Sequence, residues 1–153
     1  MPGNNSVITT VELRFTPHSY IKTLTGVPKG YPPNGGGGGT GYIRNLVLSD
    51  FTFINSKYIF GISQCTTYSF NFGECDTSTM AISNVTLGPI KGTLKFKPDN
   101  VGLQCSGARP CPGIEFRGLD LEWEGKSVQS VVKCSNVVDP RGFVCAGGND
   151  TTG

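Results

Sequence analysis

Leu46-Val47-Leu48-Ser49-Asp50-Phe51-Thr52-Phe53 sets a pattern that the rest of the chain repeats. Apolar residues stand at 46 and 48, then at 51 and 53, with two positions between the pairs. Val85-x-Leu87-x-Pro89-Ile90-x-Gly92 echoes it, and Ile114-x-Phe116-x-Gly118-Leu119-x-Leu121 returns it. Residues two apart on a strand share a face, so each pair points inward from one strand. The extra residue between the pairs bends the chain, and the next pair then faces inward from a different wall.

This is the pattern of a β-solenoid. Each copy is one coil, and its inner face is buried only when neighbouring coils stack on it. Short alternating strands also build antiparallel sandwiches. Repetition in register, without Asn-Gly or Asp-Gly turns at the ends of the copies, favours the solenoid. No segment sustains an apolar i, i+3, i+4 face, so the fold class is all-β with little helix.

Upstream of the first copy, Tyr20-Ile21-Lys22-Thr23 reads as a short strand. Gly26 to Gly41 reads as a loop, with Pro28, Pro32, Pro33 and five glycines from Gly35 to Gly39. A phosphate-binding loop would continue Gly-Lys-Ser/Thr, whereas Thr40-Gly41-Tyr42 follows, so a flexible loop is expected. Residues 1–19 fit the pattern poorly. Val11-Glu12-Leu13-Arg14-Phe15 is one short strand, ended by Pro17. His18, the single histidine, has the chemistry of a catalytic base, but beside a proline turn it reads more simply as a surface residue.

Downstream, Cys105-Ser-Gly-Ala-Arg-Pro-Cys111 looks like a closed turn feeding a coil, and Val128 to Val132 like a further strand. The segment from Cys134 to Cys145 could cap the end, and residues 146–153 read as a frayed tail. The start has no comparable cap, so self-association through the N-terminal face is expected.

The six cysteines, Cys65, Cys75, Cys105, Cys111, Cys134 and Cys145, fall in local pairs. Zinc is the alternative use, but there is no Cys-x-x-Cys and only one histidine. Pairing between sequence neighbours is therefore expected, each loop contributing roughly 2–3 kcal/mol on the chain-entropy model. That implies an oxidising, extracellular setting. Sequons at Asn4, Asn84 and Asn149 agree with secretion. Yet residues 1–17 hold neither a basic start nor an apolar run, so no secretory signal opens the chain. The expectation is a chain that begins inside a longer protein.

With 153 residues the chain is one domain or part of one. A net charge of +2 without a basic cluster argues against nucleic acid or an anionic membrane as partner. No span of about 20 apolar residues could cross a bilayer. Nothing in the sequence calls for a metal or a cofactor.

Several segments taken together resemble the C-terminal third of fungal polygalacturonases of glycoside hydrolase family 28, especially the exo-acting and rhamnogalacturonan-related branches. They are Ile21-Lys22-Thr23, Gly26 to Asn34 with the glycine run, and Gly41-Tyr42-Ile43-Arg44-Asn45. Gln64-Cys65, Leu103-Gln104-Cys105-Ser106 to Cys111, and Lys133-Cys134-Ser135-Asn136-Val137 complete the set. The resemblance runs over residues 20–145. It implies a right-handed parallel β-helix, represented by its C-terminal coils only, in an extracellular protein that hydrolyses pectic polysaccharide.

The family's centre combines an Asn-Thr-Asp stretch, an Asp-Asp pair, a Gly-His-Gly segment and an Arg-Ile-Lys segment. Only the last has a counterpart, Tyr20-Ile21-Lys22, with tyrosine where arginine is usual. The resemblance makes Lys22 a substrate-binding residue that holds a uronate carboxylate, with Tyr20 stacking on a sugar or lining the cleft. Inverting hydrolysis needs an acid and a base about 6.5–9.5 Å apart across the scissile bond. Asp76, Asp99, Asp120, Glu115, Glu122 and Glu124 all lie in segments resembling later coils. Glu122 and Glu124, flanking Trp123, would share a strand face, but such pairs are usually solvated. The expectation is a pectin-hydrolase fragment without catalytic residues of its own, or else a non-catalytic uronate-binding module.

Overall fold

The three copies stack in the predicted register. A computed structural model of the chain describes residues 6–8, 11–14, 19–26, 39–57, 59–66, 74–96, 102–128 and 131–146. Of residues 6–8, 11–14, 19–20, 66 and 131 only the backbone is described. Four coils wind through three walls of parallel strands. The first wall holds β1 (Ser6–Ile8), β4 (Gly41–Leu48), β7 (Met80–Leu87) and β11 (Ile114–Phe116). The second holds β2 (Val11–Arg14), β5 (Phe51–Ser56), β8 (Ile90–Leu94) and β12 (Leu119–Trp123), with β13 (Lys126–Ser127) at its edge. The third holds β3 (Ser19–Leu24), β6 (Phe60–Thr66), β9 (Gly102–Gln104), β14 (Val131–Ser135) and β16 (Val144–Ala146). A short pair, β10 (Cys111–Pro112) with β15 (Val137–Val138), closes the last corner. This is a parallel β-helix.

Stacked coils bury matching side chains in columns. Leu46, Val85 and Ile114 are register partners, as are Leu48, Leu87 and Phe116, and Phe51, Ile90 and Leu119. On the third wall Ile21, Ile62, Leu103 and Cys134 form one buried column. Each fully buried aliphatic or aromatic side chain contributes roughly 1.5–3 kcal/mol, a gain that requires the neighbouring coil.

The strands also extend the repeat backwards. Ser6, Ile8, Val11 and Leu13 pair with Leu46, Leu48, Phe51 and Phe53, so residues 6–8 and 11–14 supply two walls of a first coil. The repeat as read from Leu46 onward does not reach it.

Corners stack as well as strands. Between the first two walls, the Gly88 amide donates to the Leu48 carbonyl at 2.7 Å and the Arg117 amide to the Leu87 carbonyl at 2.8 Å. Within the first wall, Asn45, Asn84 and Gly113 all adopt positive φ. Asn84 Nδ2 donates to Asn45 Oδ1 at 3.3 Å, so one bend is repeated coil upon coil.

All three expected disulfides are present, Cys65–Cys75, Cys105–Cys111 and Cys134–Cys145. None of the six cysteines remains a thiolate for zinc. Two local readings change. The expected strand at Val128 to Val132 is instead β14, starting at Val131, and Val128 follows β13. Glu124 and Gly125 have φ of 51° and 70° and turn β12 back on β13, the antiparallel strand pair of the described residues. The expected loop at Gly26 to Gly41 and tail at 146–153 lie mostly outside the described residues. Ala146 still pairs with Lys133 in β16.

Candidate functional site

Alternation along β3 decides what the third wall presents. Ile21 and Thr23 are buried and Lys22 between them is exposed, so Lys22 projects away from the interior. Its register partner on the next coil is Ser63, and Ser63 in turn pairs with Gln104. Tyr20 pairs with Gly61 and is described in its backbone alone. His18 and Asp99 lie outside the described residues.

On the next coil this face is covered, and on β14 Lys133 is exposed again. Ser63 keeps only 9% of its surface and its hydroxyl has no hydrogen-bond partner. Cys65 is fully buried in its bond to Cys75, and Gln104 Nε2 donates to Cys75 Sγ at 3.4 Å. The 3₁₀ turn at Cys75–Thr77 is held from the far side. Asp76 Oδ1 accepts from the Gly107 amide at 2.8 Å and from Asn136 Nδ2 at 2.9 Å. Asp76 is thus a structural acceptor that ties this turn to the last coil.

The other described carboxylates named from the sequence stand on β11, on β12 or in the turn after β12. Asp120 projects from the second wall, lining a groove of about 550 Å³ with Asp50, Thr52, Lys91 and Gly118. Glu122 stands on β12 and is exposed, whereas Glu124 sits in the β12–β13 turn, so they do not share a strand face as expected. Glu115 is paired with Arg117, Nε to Oε1 at 2.9 Å and Nη2 to Oε2 at 2.9 Å. That hydrogen-bonded guanidinium holds the Glu115 carboxyl below its ordinary value. A carboxyl so held is a poor proton donor.

Sequence reasoning missed the polar centre of the interior. Gln64 is fully buried, and its Nε2 donates to the Met80 carbonyl at 2.9 Å and to Thr23 Oγ1 at 3.3 Å. Its Oε1 accepts from the Ser106 amide at 2.9 Å. The signal was present: Phe60, Ile62 and Gln64 alternate, which puts Gln64 in an inward slot.

Among the described residues, the carboxylates named from the sequence stand on β11, on β12 and in the turns at Cys75–Thr77 and Glu124–Gly125, while Lys22 stands on β3. The pattern of the glycosyl hydrolases family 28 matches residues 34–145. An alpha-L-rhamnosidase of Aspergillus niger is 37% identical over 153 aligned positions, covering 95% of this chain and 35% of that protein. A protein named as a galacturan 1,4-alpha-galacturonidase A in Aspergillus flavus is 35% identical, over 71% of this chain and 29% of its own length. An endo-xylogalacturonan hydrolase A of Aspergillus tubingensis is 30% identical, over 76% of this chain and 28% of its own length. The chain spans about a third of the length of these curated relatives. No solved structure matches it. A parallel β-helix with this register of coils and this family match makes the chain a member of glycoside hydrolase family 28.

Proposed function

We propose that this chain is the C-terminal portion of a secreted pectin-degrading hydrolase. The whole protein would cut α-1,4-linked galacturonan by inverting hydrolysis. In it Lys22 holds a uronate carboxylate and Tyr20 lies beside the sugar. The carrying observation is Lys22 itself, exposed in the middle of β3 between the buried Ile21 and Thr23. An ammonium fixed on a rigid strand suits a carboxylate as a point-charge donor. The names of the relatives, which include a galacturonidase and a xylogalacturonan hydrolase, support a pectic substrate.

The same reading makes the chain inactive by itself. Its sequence has no Asp-Asp pair; Asp120 and Glu122 stand on the second wall, and Asp76 and Glu115 are held in hydrogen bonds. The three disulfides support an extracellular setting, and Asn84, exposed on β7 within its sequon, is a glycan acceptor together with Asn149. Peptide mass before and after glycosidase treatment checks both asparagines.

Two measurements test the proposal. The pure chain should release no reducing ends from polygalacturonate, and release would overturn the inactive reading. Oligogalacturonide should bind weakly and in a salt-sensitive way, with loss in Lys22→Ala; unchanged binding in that variant would remove Lys22 from the site. Retained, tight binding without hydrolysis would mark a uronate-holding module instead of a dismembered enzyme.

A further inference from the structure

The groove that Asp120 lines outside the second wall is built from two ladders of stacked residues. Asp50, Pro89 and Gly118 stack at the corner that precedes the strands. The Asp50 amide donates to the Pro89 carbonyl at 2.8 Å, and the Ile90 amide donates to the Gly118 carbonyl at 3.1 Å. Thr52, Lys91 and Asp120 stack two positions further on, as register partners in β5, β8 and β12. Between the ladders Phe51 and Ile90 turn into the interior and are buried. Three successive coils thus enclose about 550 Å³. Small-molecule sites usually span about 300–1,000 Å³.

The polar groups are spread along the groove. Asp50 belongs to the second coil, Lys91 to the third and Asp120 to the fourth, and all three are exposed. Parallel strands lie about 4.7–4.9 Å apart, which sets the backbones of the two aspartates roughly 10 Å from each other. One cation does not bridge that span, and among the described residues no three side chains gather as metal ligands. Two carboxylates against one ammonium also disfavour an anion. A neutral sugar suits all of it. Its hydroxyls donate to the carboxylates, accept from Lys91 and pair either way with Thr52. Its apolar C–H face finds Pro89, which is exposed. Gly118 keeps that ring open, since its φ is 50° and a Cβ there would lie 3.3 Å from Pro89 Cβ. A basic segment of a partner protein would meet the carboxylates but set like charge against Lys91.

We infer that this groove is a second carbohydrate-binding site, on a different wall from Lys22, that takes a neutral sugar unit of a polysaccharide. On the pectic reading above that unit is a galacturonate whose carboxyl is methyl-esterified. The inference rests on that reading for the polymer, and its residues are separate from that reading.

The test is an NMR titration of the isotope-labelled full chain with fully methyl-esterified tetragalacturonate and with tetragalacturonate. The ester should shift the amides of Asp50, Lys91 and Asp120, and the acid should shift that of Lys22. The double variant Lys91→Ala/Asp120→Ala changes two exposed side chains and should weaken ester binding about ten-fold. Gly118→Asn keeps a left-handed backbone that asparagine tolerates, lays a side chain over Pro89 and should weaken ester binding as well. Ester affinity of the double variant within two-fold of the parent overturns the site. So does a titration in which tetralysine shifts the groove amides and the ester does not, which would put a basic protein segment there. If both sugars shift only Lys22, the groove falls and the proposed function stands. If the ester shifts the groove and the acid leaves Lys22 unmoved, the groove stands and the role of Lys22 falls. A chain that neither sugar shifts sinks both.

Discussion

Gln64 accepts the amide of Ser106 at 2.9 Å, a bond from the second coil to the turn that leads into the fourth. The same side chain donates to the Met80 carbonyl at the start of the third coil and to Thr23 on the first. One amide group, fully buried, therefore touches every stage of the winding. An apolar residue in this slot would continue the hydrophobic column, yet the slot is filled by a side chain whose two ends match a carbonyl and an amide.

Replacing Gln64 by Leu should therefore destabilise the chain despite adding apolar volume. The buried Ser106 amide and Met80 carbonyl each lose a partner, at about 1–3 kcal/mol per orphaned group, which makes a loss of about 3 kcal/mol the expected outcome. Urea unfolding monitored by far-UV circular dichroism reads it directly. A loss under about 1 kcal/mol would mean that water or a shifted neighbour takes over the bonds.

Within the three copies read from Leu46 onward, Gly92 interrupts the apolar pattern, and the reason is steric. It pairs with Phe53 with φ of 134°, and a Cβ there would lie 1.9 Å from the Phe53 carbonyl oxygen. Gly125 also has positive φ, 70°, but a Cβ there would meet nothing within 4 Å. Gly92→Ala should cost about 3 kcal/mol or more, and Gly125→Ala only about 1–2 kcal/mol from the left-handed backbone. Equal melting temperatures for the two variants would contradict the clash.

Legibility followed the chemistry of each slot. Leu46, Val85 and Ile114 announce three coils because each inward slot holds an apolar side chain. The first coil stayed hidden because Ser6 occupies the slot of Leu46, and one serine in so short a strand erases the alternation. Gln64 was hidden for the same reason in reverse, a polar side chain at an inward position. Glu124-Gly125 made a tight hairpin with glutamate where asparagine or aspartate usually signals one. The outward place of Lys22 on β3 follows from the alternation with its neighbours Ile21 and Thr23. The groove of Asp50, Lys91 and Asp120 was not legible, since its residues come from three coils and meet only through stacking.

Glu115 gives a pH signature. The hydrogen bond from Arg117, followed by the attraction of Arg117 and Arg141, holds its carboxyl below the ordinary value of 4.5. A folded value below the unfolded one contributes stability that is present above the unfolded value and lost as pH falls through the folded one. Because the pair is exposed, the contribution is small and best read by titration. The side-chain carboxyl resonance of Glu115 should titrate with a midpoint below 4.5, and Arg117→Gln should move it up. A midpoint at or above 4.5 in the parent chain would dissolve the pair as a solution feature.

The last prediction concerns the open end of the ladder. Among the described residues β1, β2 and β3 each occupy the outer place in their sheet, with one side of their backbone unpaired by a further strand. Three such edges side by side offer a template on which strands of another copy of the chain can add. The 153-residue chain should therefore associate as concentration rises, which light scattering coupled to size exclusion would follow. Ile8 and Leu13 on these outer strands are backbone register partners of Leu48 and Phe53. Ile8→Lys with Leu13→Lys places like charges on the outer strands of both copies and should return the chain to monomer. Association that persists in the double variant would move the contact to another surface, and a parent chain monomeric at every concentration would show that the edges are protected.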